Sequence, residues 1–88
     1  MDLQVEHNET DHKYSAWIDG YEAEVTYREE GDSLVFTHTL VAEALRGRKV
    51  GEELVRQAVA DARRRGRQVS ATCPFVERYL ERHPEDMT

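Results

Sequence analysis

The sequence has a single cysteine, Cys73, in 88 residues, so no disulfide can close within the chain. It has no apolar run near the roughly 18 residues needed to cross a membrane. Its start, Met1 to Glu6, has neither the basic head nor the apolar core of a secretion signal. From these absences the expected compartment is cytoplasmic, with no membrane partner. Positive charge is also scarce. Twelve Lys and Arg stand against eighteen Asp and Glu, and the net charge of −6 repels nucleic acid and anionic lipid at long range. Two basic runs are exceptions, Arg46-Gly47-Arg48-Lys49 and Arg63-Arg64-Arg65-Gly66-Arg67; the second has its cations where a helix C-terminus favours them, and no nucleic-acid-binding motif accompanies either. No nucleic-acid partner is expected. The histidines have no metal-site spacing with cysteine or carboxylate, so no metal is expected either.

What is present is 39% apolar and 34% charged residues, a composition suited to a soluble folded domain. The length predicts one domain over residues 1–88 with a modest core, as a monomer or weak dimer. The first forty residues alternate with period two. Leu3 and Val5 alternate with Gln4 and Glu6; Tyr14, Ala16 and Ile18 with Ser15 and Trp17; Tyr21, Ala23, Val25 and Tyr27 with Glu22, Glu24 and Thr26. Asp19-Gly20 between the second and third strands suits a two-residue hairpin. The fourth strand, Ser33 to Val41, places Leu34, Phe36, His38 and Leu40 on one face and Val35, Thr37, Thr39 and Val41 on the other. Both faces are apolar or β-branched, which predicts a central strand covered on both sides.

The period then changes. Val50, Leu54, Val55, Ala58, Val59 and Ala62 have helical spacing, with Glu52 and Glu53 in the first turn and Arg63 to Arg65 in the last. Gln68 to Cys73 reads as a fifth strand. Pro74 opens a second helix with Phe75, Val76, Tyr79 and Leu80 on its apolar face, ended by His83-Pro84. The order β-β-β-β-α-β-α predicts an α+β fold: a mostly antiparallel mixed sheet with a parallel pair of fourth and fifth strands.

Between the fourth strand and the first helix lies Arg46-Gly47-Arg48-Lys49-Val50-Gly51. The first N–H groups of a helix have no partner within it and carry partial positive charge. Glycine lets backbone approach a ligand closely, and the basic side chains add full charges. The combination suits phosphate or pyrophosphate, although an ordinary solvated strand-to-helix loop has the same composition.

This hexapeptide resembles the Arg/Gln-x-x-Gly-x-Gly/Ala signature of the GCN5-related N-acetyltransferases. The wider run is similar to a subfamily of very small acetyltransferase-like proteins: Thr37 to Val41, Leu45 to Gly47, Ala62-Arg63, Gly66, Cys73-Pro74-Phe75, Tyr79 and His83-Pro84-Glu85. The resemblance implies a reduced acyl-CoA N-acyltransferase fold and acetyl transfer from acetyl-CoA to an amine of unknown identity. It implies that backbone of Leu40 and Val41 holds the pantetheine arm. The amides of Arg46, Gly47, Arg48, Lys49, Val50 and Gly51 would hold the pyrophosphate. Lys49 stands where the signature has its first glycine. A non-catalytic acyl-CoA-binding or protein-interaction module on the same fold is the alternative.

Three further residues carry two readings each. Cys73, just before Pro74, is placed as a helix N-cap, where a thiolate is favoured; a buried free cysteine is equally a small hydrophobe. The resemblance makes it a candidate catalytic residue. His38 can serve as a general base toward an amine or pack beside Phe36. By resemblance Tyr79 falls near the coenzyme sulfur; by spacing it belongs to the helix core.

Overall fold

The computed structural model describes residues 3–83. Five strands, β1 (Val5–Asn8), β2 (Lys13–Ile18), β3 (Tyr21–Glu30), β4 (Ser33–Val41) and β5 (Gln68–Ala71), lie in that order in one sheet. The first four are antiparallel and β4 pairs with β5 in parallel. Helix α1 (Val50–Arg64) makes the β4–β5 crossover, and α2 (Pro74–Arg82) follows β5. The α+β order read from the sequence is the order found. Asp19 and Gly20 both take positive φ (54° and 83°), as a two-residue hairpin turn requires.

Periodicity decides which faces are buried. Tyr14, Ala16, Ala23, Val25 and Tyr27 point to one side of the sheet, and the stripe Val50, Leu54, Val55, Ala58, Val59 and Ala62 of α1 closes over them. Val76, Tyr79 and Leu80 of α2 join the same cluster. Each large side chain buried this way contributes about 1.5–3 kcal/mol. The other side of the sheet keeps Trp17 and Leu40 about half exposed.

Three expectations are corrected. The first strand is Val5–Asn8 rather than Leu3 to Glu6, because pairing with Lys13–Ala16 sets its register; Leu3 is nonetheless buried, and its carbonyl accepts from Gln57. The fifth strand stops at Ala71, because the N–H groups of Thr72 and Cys73 both converge on the Phe36 carbonyl. Strand β4 lies inside the sheet between β3 and β5, but it is covered on both faces only over Leu34 to Phe36, and beyond them its alternation is broken. Thr26 pairs with His38 and Tyr27 with Phe36, which leaves Thr37 as a bulge. Phe36 is therefore followed on the core side by Thr39 and Val41, while His38 and Leu40 turn outward and are exposed. The expected helix stop at Pro84, and Glu85, lie outside the described residues.

At the β1 edge a polar cluster is built into the core. His7 stacks on Tyr14 with ring centroids 4.1 Å apart, and its Nε2 lies 2.6 Å from the Tyr27 hydroxyl. Tyr14 donates to Asp61 at 2.8 Å. His7 Nδ1 is buried without a hydrogen-bond partner, 3.6 Å from Asp61. Burial lowers the His7 pKa below 6.5, and Arg65 adds to the effect against the opposing pull of Asp61. The folded state thus favours neutral imidazole. Stability from this group is complete above about pH 6.5 and is lost as pH falls through the lower folded value. Urea midpoints should drop between pH 7.5 and 5.5, and the drop should shrink in His7→Phe; an equal drop in that variant would assign the effect to another group.

Candidate functional site

The chain leaves β4 at Val41 and makes one 3₁₀ turn, Glu43–Leu45, before α1. Leu45, 1% exposed, anchors this turn in the core. Backbone bonds from Arg46 N–H to Glu43 C=O and from Arg48 N–H to Leu45 C=O hold the next residues. Gly47 and Lys49 are both left-handed, with φ of 81° and 61°. Alternating handedness of this kind lets successive N–H groups gather on one side as an anion-binding concavity. The first bond of the α1 ladder runs from Glu53 N–H to the Lys49 carbonyl, so the N–H groups of Val50, Gly51 and Glu52 precede it.

A cleft of about 630 Å³ opens at this helix end. Arg46, Gly47, Lys49, Val50, Gly51 and Glu52 form one end, and Val41, Leu45 and Phe75 give it apolar walls. Gly51 makes the tight fit possible: a Cβ there would stand 3.2 Å from both Val41 and Phe75. Thr39 lies at the strand end of the lining. Its hydroxyl is 3.4 Å from the sulfur of Cys73, the α2 N-cap, which is 6% exposed.

The cleft exists because β4 and β5 part. Their last paired residues are Phe36 and Ala71. Beyond them, alternation of the antiparallel ladder decides which backbone groups are free. The Ala42 N–H donates to the Glu22 carbonyl, so Leu40, two residues back, also directs its N–H and C=O toward β3. Thr39 and Val41 direct theirs toward the gap.

The sequence-predicted residues therefore separate. Val41, Arg46, Gly47, Lys49, Val50 and Gly51 line one cleft, and Cys73 sits behind Thr39. Leu40 is exposed on the outer face, with its backbone committed to β3. Arg48 is turned aside to Asp19 on the β2–β3 turn, at 3.4 Å. His38 is exposed on the outer face, so it packs neither beside Phe36 nor beside the thiol. Tyr79 is a core residue stacked on His83, and it also lines a small hollow next to the cleft. Sequence reading missed Thr39, because unbroken alternation puts it on the wrong face. It also missed Phe75 as a wall and Glu52 as a lining carboxylate. Phe75 follows Pro74 at a helix start, which was the one available signal.

Electrostatically the helix end is mixed. Glu53 is committed, its pKa brought to about 2 by hydrogen bonds from Arg56 and Gln57. Glu52 has no such partner and faces the cleft. The arrangement offers, in sequence, an anion-binding end, an apolar passage with free backbone groups, and a thiol with a hydroxyl beside it.

Comparison with known proteins agrees with this geometry. Residues 13–88 match the family described as GCN5-related N-acetyl-transferase. The fold is similar to the NMR solution structure of a GCN5-like, presumed N-acetyltransferase from Staphylococcus aureus, with a TM-score of 0.72 and 27% identity over 96% of this chain and 83% of that one. No curated protein matches the sequence with significance.

Left-handed backbone costs a non-glycine residue about 1–2 kcal/mol. Lys49→Gly should therefore stabilise the free protein by about 1 kcal/mol, which is roughly 4–8 °C in Tm for a domain of this size. Gly47→Ala should lower Tm by a similar amount, and thermal melts of the two variants check both signs.

Proposed function

This chain belongs to the family of GCN5-related N-acetyltransferases, and on that premise we propose that it binds acetyl-CoA in the cleft and transfers the acetyl group to an amine. The observation that carries this reading is the order of chemistry along the cleft. Coenzyme A has an anionic pyrophosphate, an amide-bearing pantetheine arm and a terminal sulfur. The amides and cations from Arg46 to Gly51 suit the pyrophosphate. The free backbone groups of Thr39 and Val41 suit the amides of the arm, and Phe75 and Leu45 suit its methylenes. Cys73 and Thr39 then stand at the strand gap, where the thioester belongs.

Cys73 gives the chemistry two routes. In the first, its sulfur attacks the acetyl carbon, a new S–C bond replaces the one to coenzyme A, and coenzyme A leaves as the thiol. The amine then attacks the acetyl-cysteine: the N–C bond forms, the S–C bond breaks, and the Cys73 thiolate released takes up the proton the amine gives up. In the second, the amine attacks acetyl-CoA directly and Cys73 only shapes the pocket. The Thr39 hydroxyl can orient the sulfur in either case, since O–H and S–H can each donate. His38, exposed on the far face, takes no part in this scheme.

A binding module without catalysis is the second reading. It is favoured by the short link between β1 and β2, residues 9–12, which adds no helix beside the cleft to build an acceptor site.

Melting with acetyl-CoA at about 100 times its dissociation constant should add roughly 2.7 kcal/mol of stability; no shift at millimolar ligand would remove both readings. Release of free coenzyme A in the presence of amines then distinguishes enzyme from module. Cys73→Ala should keep the coenzyme-induced shift and lose turnover if the sulfur is acetylated, whereas retained turnover assigns direct attack. Glu52→Gln should tighten coenzyme binding about two- to tenfold, because it removes a lining carboxylate without disturbing a pair. Titration calorimetry measures this, and weaker binding would place the coenzyme's phosphates elsewhere.

A further inference from the structure

Resting on the coenzyme reading above, we infer that α2 carries a second anion subsite, Arg78 with Arg82, which takes the ribose 3′-phosphate of coenzyme A. This acidic chain ties most of its cations into ion pairs. Among the described residues, Lys13, Arg28, Arg48 and the arginines between 56 and 67 all have partners. Among the described residues Arg46, Lys49, Arg78 and Arg82 make no ion pair, although carboxylates outnumber cations in the sequence. Those unpaired residues are not scattered. Arg46 and Lys49 line the cleft, and Arg78 and Arg82 line a hollow of about 70 Å³ beside it.

The two spaces are continuous in their walls, since Glu52 and Phe75 line both. Arg78 and Arg82 are four residues apart on α2, so they stand one turn above the other on one face. Both are exposed, which leaves their guanidinium groups free to fork onto a phosphate. Coenzyme A offers such a pair a partner. It carries a phosphomonoester on the ribose in addition to the pyrophosphate, and one loop of backbone amides cannot serve both. The carboxylate of Glu52, which lines both spaces, disfavours a ligand phosphate settling where they meet.

Coenzyme A and 3′-dephospho-coenzyme A differ only in this group, and calorimetric titration of both separates the claims. Wild type should bind coenzyme A about ten- to a hundredfold tighter, the effect of hydrogen bonds to a charged group. In the Arg78→Ala, Arg82→Ala double variant the ratio should fall to near one, with dephospho-coenzyme A affinity unchanged. The ligand-free Tm should be retained, because both side chains are exposed. Equal wild-type affinity for the two ligands, or a ratio that survives the double substitution, overturns the subsite while leaving the coenzyme reading intact. Failure of both ligands to bind wild type overturns the two together.

Discussion

The carbonyl of Phe36 accepts hydrogen bonds from the N–H groups of both Thr72 and Cys73, and the candidate site depends on that convergence. A ladder that continued past Ala71 would consume the backbone groups of β4 up to Val41. By drawing two successive amides onto one acceptor, the end of β5 is turned away and α2 starts at once. The bulge at Thr37 completes the change. It is stitched by Thr26, whose hydroxyl lies 3.3 Å from that of Thr37. One unpaired residue moves Thr39 and Val41 to the side of the helices and sends His38 and Leu40 to solvent. Fold and site thus meet at Phe36 and Thr37: the carbonyl of the first ends the parallel ladder, and the bulge at the second turns the free edge toward the cleft.

Most of the fold was legible because it rests on periodicity. Alternation over Tyr21 to Tyr27 and helical spacing over Val50 to Ala62 require burial of one face, and nothing in the core opposes it. The anion end was legible too, since Gly47 and the cations beside it are local signals. The strand end was not. Thr37 is no different in kind from Thr39, and neither glycine nor proline marks the bulge. The bulge arises from register with β3, a partner distant in sequence, so the face of every residue beyond it was misread. The side-chain partners of Arg48 and Cys73, Asp19 and Thr39, were hidden for the same reason.

Charge pairing sharpens what composition concealed. A net charge of −6 argues against anionic ligands for the molecule as a whole, yet long-range charge decides little at a cleft. What matters there is which cations remain unsatisfied. The C-terminal run Arg63 to Arg67 was the stronger patch by sequence, but its members are drawn to Asp61, Glu9 and Glu29. Asp61 in particular is a hub. Burial would raise its pKa, but hydrogen bonds from Tyr14, Arg64 and Arg65 outweigh burial and hold it below the ordinary value. The arginines there close the core's polar edge and have little charge to offer a ligand.

Lys49 is where the two kinds of evidence pull against each other. Its left-handed φ of 61° is the conformation glycine adopts without cost, so a lysine there destabilises the free chain. Strain of this sort persists where surrounding contacts over-determine the backbone, and it gathers at functional sites. Here the residue is held between the 3₁₀ turn anchored by Leu45 and the start of the α1 ladder. Among the described residues the lysine ammonium has no ion-pair partner, and it lines the same cleft as the Glu52 carboxylate. With glycine there, Arg46 alone of the described cations lining the cleft would stand against the Glu52 carboxylate. The ammonium offsets that carboxylate, and on the coenzyme reading proposed above it makes the helix end more favourable to an anionic group.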